Sequence, residues 1–172
     1  MRARRVPSRS LAGWLALAGS VIALDFATKA WVLSAFHLHE RLAVTSFFNL
    51  VLVYNPGASF SFLADAGGWQ RWFFVGLALV ISAWLLVLIR RHAAERLMPM
   101  ALALVLGGAV GNVIDRLRFG AVVDFLDFHV AGWHWPAFNV ADSAITVGVI
   151  LLLWQQLTQK DGMPHDRTRQ AR

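Results

Sequence analysis

The chain has 172 residues, of which 58% are hydrophobic and 15% are charged, and it carries a net charge of +6. Soluble domains are about 45–50% apolar with glycine included and about 25% charged, so this composition excludes a disordered chain and argues against a soluble globular domain. The absence of cysteine excludes a thiol nucleophile, thiolate metal ligands and disulfides. The length favours a single domain.

Four apolar stretches approach the length of about 20 residues that a membrane-spanning helix requires. We predict spans over residues 11–27, 72–89, 97–114 and 137–157. The arginine-rich start and the apolar run behind it are similar to a secretory signal peptide, but the three later spans favour a first helix that is retained. The polar tail over residues 159–172 is predicted to be flexible.

The first apolar stretch carries two charges in its outer part, Asp25 and Lys29. They are four residues apart and therefore share a helix face. An internal ion pair that holds the helix in the bundle is favoured over a direct chemical role.

Residues 42–64 are also free of charge, but we predict no span there. The Asn55-Pro56-Gly57 sequence is typical of a turn, and the residues before it are aromatic and β-branched, as in a strand. Because a bilayer cannot satisfy an exposed turn at its centre, we predict a short β-rich segment over residues 37–69, near the membrane interface and outside the bilayer.

Two weaker patterns fall in or near this segment. Gly57 to Ser61 has a Gly-x-Ser sequence, but the Gly-x-Ser-x-Gly pattern of serine hydrolases is incomplete. The histidines at 37, 39, 129 and 134 lack the helical spacing of metal ligands, and we interpret them as solvated interfacial side chains. No metal site is predicted.

The third span ends in the sequence GGAVGNVIDR, residues 107–116. Gly107 and Gly111 form a small-xxx-small pair that allows close helix contact. Asn112, Asp115 and Arg116 share one helix face. Interhelical hydrogen bonds and an Asp/Arg pair are expected, so these residues are predicted to position other groups.

The sequence VVDFLDF, residues 122–128, offers Asp124 and Asp127, which point to opposite faces of a strand but share a face of a helix. The spacing leaves both possibilities open. In FNVADS, residues 138–143, Asp142 is expected about two turns into the fourth span. Apolar surroundings and a second carboxyl raise the pKa of a carboxyl group, so two such acids could share one proton and act as acid and base. The alternative is an acid stabilised by the helix dipole.

Most basic residues lie on one side of a four-span arrangement, in residues 2–9, 90–96 and 160–172. Positive residues favour the cytoplasm, which predicts that both termini are cytoplasmic. The charge thus indicates orientation, and a nucleic-acid partner is not expected. Intramembrane acids are also compatible with a proton-coupled carrier that uses Asp25, Lys29 and Asp142, or with an assembly protein, although no inverted repeat is evident.

Five blocks in order resemble the bacterial lipoprotein signal peptidases, the signal peptidase II family. They are Leu24-Asp25 with Thr28-Lys29, the stretch from Tyr54 to Phe60, and the three blocks GGAVGNVIDR, VVDFLDF and FNVADS. The resemblance implies four membrane helices with a small periplasmic β-sheet cradle. It also implies an aspartic endopeptidase of the bacterial inner membrane that needs no cofactor. Its substrate would be a diacylglyceryl-modified prolipoprotein, cleaved before the lipobox cysteine, and globomycin-like cyclic peptides would inhibit it.

By the same resemblance, the catalytic pair is Asp124 and Asp142. Supporting or substrate-binding roles are implied for eight further residues: Asp25, Lys29, Asn55, Gly108, Asn112, Arg116, Asn139 and Ala141.

Overall fold

The computed structural model describes residues 8–57 and 67–160. In chain order the elements are α1 (Ser8–Ala35), β1 (Arg41–Ala43), β2 (Phe48–Asn55), α2 (Gln70–His92), α3 (Leu97–Phe119), β3 (Val122–Val130), β4 (Trp133–His134) and α4 (Val140–Lys160). The predicted tail beyond α4 lies outside the described residues. So do Ser59 and Ser61 of the Gly-x-Ser pattern, together with the rest of residues 58–66 of the predicted β-rich segment.

Within these ranges, four helices are long and apolar enough to cross a membrane: Leu11–Ala35, Gln70–His92, Leu97–Phe119 and Val140–Thr158. Many of their large apolar side chains are exposed, among them Val80, Trp84 and Leu153. Exposing such an apolar surface to water costs free energy, whereas exposing it to lipid does not. The chain is a multi-pass membrane protein.

All four helices differ in extent from the predicted spans, and two of the differences bear on the site. The first helix continues past residue 27 to Ala35, because Lys29 is buried in an ion pair and does not mark the end of the helix. The fourth helix begins at Val140, after the predicted start at residue 137, and Asp142 lies in its first turn. The expected depth of about two turns for Asp142 is therefore wrong.

Helix α3 lies at the centre of the bundle. In its most apolar stretch of 18 residues, 56% are buried inside the chain, against 17–22% in the corresponding stretches of the other three helices. Its glycines allow this position, since a Cβ at Gly107 would lie 2.7 Å from the Ala18 carbonyl oxygen of α1. The close contact that the Gly107/Gly111 spacing predicted is confirmed.

A four-stranded antiparallel sheet of order β1-β2-β3-β4 joins the helices at one end of the bundle. The VVDFLDF block is thus a strand. It pairs Asn49 with Asp127 and Val53 with Asp124, and β2 carries an irregularity between Leu50 and Val53. At the opposite end, the Trp14 indole donates to the Ala93 carbonyl at 3.1 Å, which places the start of α1 beside the α2–α3 turn.

Candidate active site

Asp142 is held at the start of α4 by a reciprocal pair of hydrogen bonds. Its backbone N–H donates to Asn139 Oδ1 at 2.9 Å, and its Oδ2 accepts from the Asn139 N–H at 3.3 Å. This is the arrangement of a capping box. Its other oxygen, Oδ1, accepts from Asn112 Nδ2 of α3 at 2.7 Å. Both carboxylate oxygens are therefore fixed by neighbouring elements.

Asp124 of β3 is only 2% exposed and accepts two amide hydrogen bonds. Asn139 Nδ2 donates to Oδ1 at 2.7 Å, and Asn55 Nδ2 donates to Oδ2 at 3.2 Å. Burial and the negative charge of Asp142 raise the pKa of Asp124 to about 7, against the lowering effect of the two amides. Asn139 bonds to both acids, and the structure brings Asp124 and Asp142 together at one site.

A cavity of about 520 Å³ opens beside the two acids. Its polar lining includes Asn55, Asn112, Arg116 and Asp142, whereas apolar residues such as Val122 and Phe138 form much of the rest. Pockets of this size with a few convergent polar groups are typical of ligand sites. The cavity gives a bound molecule access to Asp142 and to Asn55, which binds Asp124.

A side chain of α3, Arg116, holds the turn that follows β2. Arg116 Nη2 donates to the Gly57 carbonyl at 2.8 Å, and the Gly57 N–H donates to Asn55 Oδ1 at 3.1 Å. The guanidinium also lies 5.0 Å from the centre of the Phe74 ring. The expected pairing of Arg116 with an acid is replaced by this carbonyl contact. Gly57 is a supporting residue that the sequence did not reveal, because its role depends on a backbone group.

Lys29 is the centre of a buried charge cluster. Its Nζ lies 2.7 Å from a carboxylate oxygen of Asp25 and 2.7 Å from one of Asp115, and it donates to Asn112 Oδ1 at 3.2 Å. The predicted Asp25–Lys29 ion pair is confirmed. Asp115 was expected beside Arg116, and it instead joins Lys29 because α1 packs against α3.

The two acids of this cluster reach the active-site elements through backbone groups. Asp25 Oδ1 accepts from the Ala141 N–H of α4 at 2.9 Å, and Asp115 Oδ2 accepts from the Val123 N–H of β3 at 3.1 Å. Ala141 precedes Asp142 and Val123 precedes Asp124. The cluster therefore anchors the backbone immediately before each candidate catalytic acid.

Glycines on α3 leave room for this arrangement. A Cβ at Gly108 would collide with the Ala141 carbonyl oxygen, and one at Gly111 would lie 2.7 Å from Asp25 Oδ2. The ten residues that the family resemblance assigned to the site, including Asp124 and Asp142, therefore lie in one connected region.

Replacing Gly111 by alanine is expected to destabilise the protein by about 1–3 kcal/mol, because the added methyl displaces the Asp25 carboxylate. Thermal unfolding in detergent measures the effect. The control is Gly76→Ala on α2, where an added Cβ would meet no described atom within 4 Å apart from the local backbone of its own helix. Equal unfolding temperatures for the two variants would contradict the close approach.

A second polar cluster surrounds Asp127. Asn49 Nδ2 lies 2.8 Å from Asp127 Oδ2, and His134 Nδ1 lies 2.8 Å from Oδ1. Although burial opposes it, these hydrogen bonds and the charges of His134 and Arg41 together lower the pKa of Asp127. His134 is exposed, as predicted, and it also contacts Asp127, because the short strand β4 places it beside β3.

The chain is similar to known proteins of one family. A family model described as signal peptidase (SPase) II matches residues 17–158. A lipoprotein signal peptidase of Azoarcus sp. (strain BH72) is 61% identical over 144 residues, covering 84% of this chain and 82% of the relative. One from Burkholderia mallei (strain SAVP1) is 54% identical over 153 residues, covering 89% of this chain and 92% of the relative.

Two solved structures share the fold. A structure described as a bacterial membrane enzyme, determined in meso at 2.3 Å, has a TM-score of 0.79 and 28% identity, covering 94% of this chain and 95% of the other. A second, determined in the same way at 1.9 Å, has a TM-score of 0.70 and 30% identity, covering 85% and 93%. The resemblance found in the sequence is thereby confirmed: the chain belongs to the signal peptidase II family and is an aspartic peptidase.

Proposed function

We propose that this protein removes signal peptides from diacylglyceryl-modified prolipoproteins, cutting just before the lipid-bearing cysteine, with Asp124 and Asp142 as the catalytic pair. The observation that carries the proposal is that Asn139 binds both carboxylates beside an apolar cavity. The relatives named lipoprotein signal peptidases support the substrate class.

In the proposed reaction the two carboxyls hold one proton between them. The ionised acid removes a proton from a water molecule as the water oxygen attacks the scissile carbonyl carbon, and the protonated acid donates to the carbonyl oxygen. A tetrahedral diol forms. It collapses when a proton passes to the amide nitrogen, so that the C–N bond breaks and the cysteine amine leaves. The proton belongs to the pair, because coupled acids titrate as a unit.

The side-chain amides around the two acids hold them in a fixed orientation. Asn112, Asn139 and Asn55 each donate an N–H to a carboxylate oxygen, which fixes both acids in orientation before the reaction. Fixed dipoles in a site that excludes water cost little reorganisation during the chemical step. We assign these three asparagines a positioning role.

We further propose that the protein lies in the bacterial inner membrane, with the sheet and the active site at the periplasmic face and both termini in the cytoplasm. Arg90, Arg91 and Arg96 support this orientation, since they lie around the α2–α3 turn, at the end of the bundle opposite the sheet. Basic residues favour the cytoplasmic side. The signal peptide can then lie in the lipid beside the bundle while its end reaches the two acids.

The test is cleavage by the purified protein in detergent, without a membrane gradient, of a lipid-modified prolipoprotein and of the same precursor without the lipid. Cleavage of the first and not of the second is expected, and a globomycin-like cyclic peptide should block it. A proton-coupled carrier would show no proteolysis under these conditions. Absence of cleavage by folded protein would contradict the proposal.

Cleavage is expected to decrease as the pH rises through about 7. The pKa of Asp124 is raised to about 7, so above that pH the pair loses the proton that one acid must donate. The measurement is kcat/KM against pH from 5 to 9, with folding monitored at each pH. A rate that stays constant between pH 6 and 9 would contradict the shared proton.

The same shift predicts the pH dependence of stability. The folded pKa of Asp124 exceeds its unfolded value of about 3.9. The stability that this shift contributes is therefore fully present below about pH 4 and is lost progressively as the pH rises to about 7. The unfolding temperature of Asp124→Asn, measured relative to that of the unchanged protein, should therefore rise across this range and then become constant. A difference that does not change with pH would contradict the shift.

A further inference from the structure

The structure contains a second cavity next to the active site. It has a volume of about 460 Å³ and is lined by His39, Arg41, Asp127 and His134, together with Val51, Val53 and residues 135–137. Residues 135–137 also line the cavity beside Asp142. A single short stretch of chain between β4 and α4 therefore separates the two cavities.

The charges in this second cavity are not equivalent. The Asp127 carboxylate is 4% exposed and already bound by Asn49 and His134. The Arg41 side chain is 54% exposed, and its Nε lies 3.7 Å from Asp127 Oδ2, which is too far for a hydrogen bond. A guanidinium carries five N–H donors. The group that the cavity offers to a ligand is thus a cation.

We propose that this cavity receives the hydrophilic stretch that follows the lipid-bearing cysteine, and that Arg41 makes the enzyme favour acidic residues there. The inference rests on the proposed function. The signal peptide is apolar and remains in lipid, whereas the chain behind the cysteine must leave the bilayer. In the proposed orientation the chain leaves the bilayer at the end of the bundle where the sheet lies. The second cavity shares residues 135–137 with the cavity that Asp142 lines.

The experiment compares three lipid-modified prolipoproteins that differ only in the residues after the cysteine, which are neutral, acidic or lysine. With the unchanged enzyme at low salt, we expect kcat/KM for the acidic substrate to exceed that for the lysine substrate by about two- to fivefold, the range for one exposed charge pair. High salt should reduce the difference.

The variants are Arg41→Glu, which should reverse the preference, and Arg41→Gln, which should abolish it. The matched control is Arg118→Glu. Arg118 is an exposed arginine at the same end of the bundle, where it stacks on the rings of Phe26 and Phe119, and this variant should keep the preference. Arg41→Gln alone decides the matter if the glutamate variant does not fold.

The outcomes separate the two proposals. Equal cleavage of all three substrates by the unchanged enzyme would overturn the inference and leave the proposed function intact. A preference that Arg41→Gln retains would do the same. Failure to cleave even the neutral substrate would overturn the proposed function, and the inference with it.

Discussion

Replacing Asp124 or Asp142 by asparagine is expected to slow prolipoprotein cleavage by about a hundredfold to ten-thousandfold, since either change removes an acid or base from the reaction. The double variant should be little slower than each single variant, because groups that act as a unit are non-additive. The measurement is single-turnover cleavage of a lipid-modified prolipoprotein by purified enzyme.

Asparagine has nearly the same shape as aspartate. A loss of activity in these variants therefore reports the missing acid or base and not a change in packing. Each acid accepts a hydrogen bond at both oxygens, and an amide keeps one acceptor of the two. At 142 the remaining oxygen can accept from Asn112 or from the Asn139 backbone N–H, and at 124 from the side chain of Asn139 or Asn55. The control is Glu95→Gln, an exposed acid that binds His92 at the far end of the bundle. If a folded Asp124 or Asp142 variant cleaved at the rate of this control, the catalytic assignment would be wrong.

Replacing Lys29 by methionine is expected to destabilise the protein by about 3–5 kcal/mol, the usual cost of leaving buried charges without a partner. Asp25 and Asp115 would both lose their cation. Cleavage should also fall, because these acids anchor the backbone at Ala141 and Val123. Unfolding in detergent measures the first effect.

A compensating variant separates charge from packing. Lys29→Met combined with Asp25→Asn and Asp115→Asn removes the cation and both anions, so it should recover part of the lost stability. The control is Arg91→Met, which removes an exposed cation from α2 and should change stability little. If the triple variant were less stable than Lys29→Met alone, the unpaired charges would not be the cause of the loss.

The four apolar helices were predictable because lipid imposes a length and a composition on each of them. The Asp25–Lys29 pair was predictable for a similar reason, since helical spacing alone places both side chains on one face. The third partner, Asp115, was not, because its contact with Lys29 depends on how α1 packs against α3. The spacing of residues within one helix does not predict a contact between elements that are distant in sequence.

The strand that carries Asp124 shows the same limit. Physical reasoning left helix and strand open for residues 122–128, and only the pairing with β2 decides between them. The family resemblance selected Asp124 over Asp127, and the structure places these acids in separate hydrogen-bond clusters. The contact between His134 and Asp127 was not predicted, because it depends on a turn with positive φ at Ala131 and Gly132.

The hydrogen bonds between Asn139 and Asp142 position a proposed catalytic carboxylate at the start of α4. A movement of the Asp142 carboxylate toward a substrate would break its hydrogen bonds with the Asn139 N–H and with Asn112. We therefore expect the pair of acids to stay fixed, so that each precursor must be aligned to them. An enzyme with such a fixed centre can process many different precursors only if tolerance resides elsewhere. We expect that tolerance in the sheet and its connecting turns, whose contacts with a substrate can vary while the geometry at the bond to be cut stays constant.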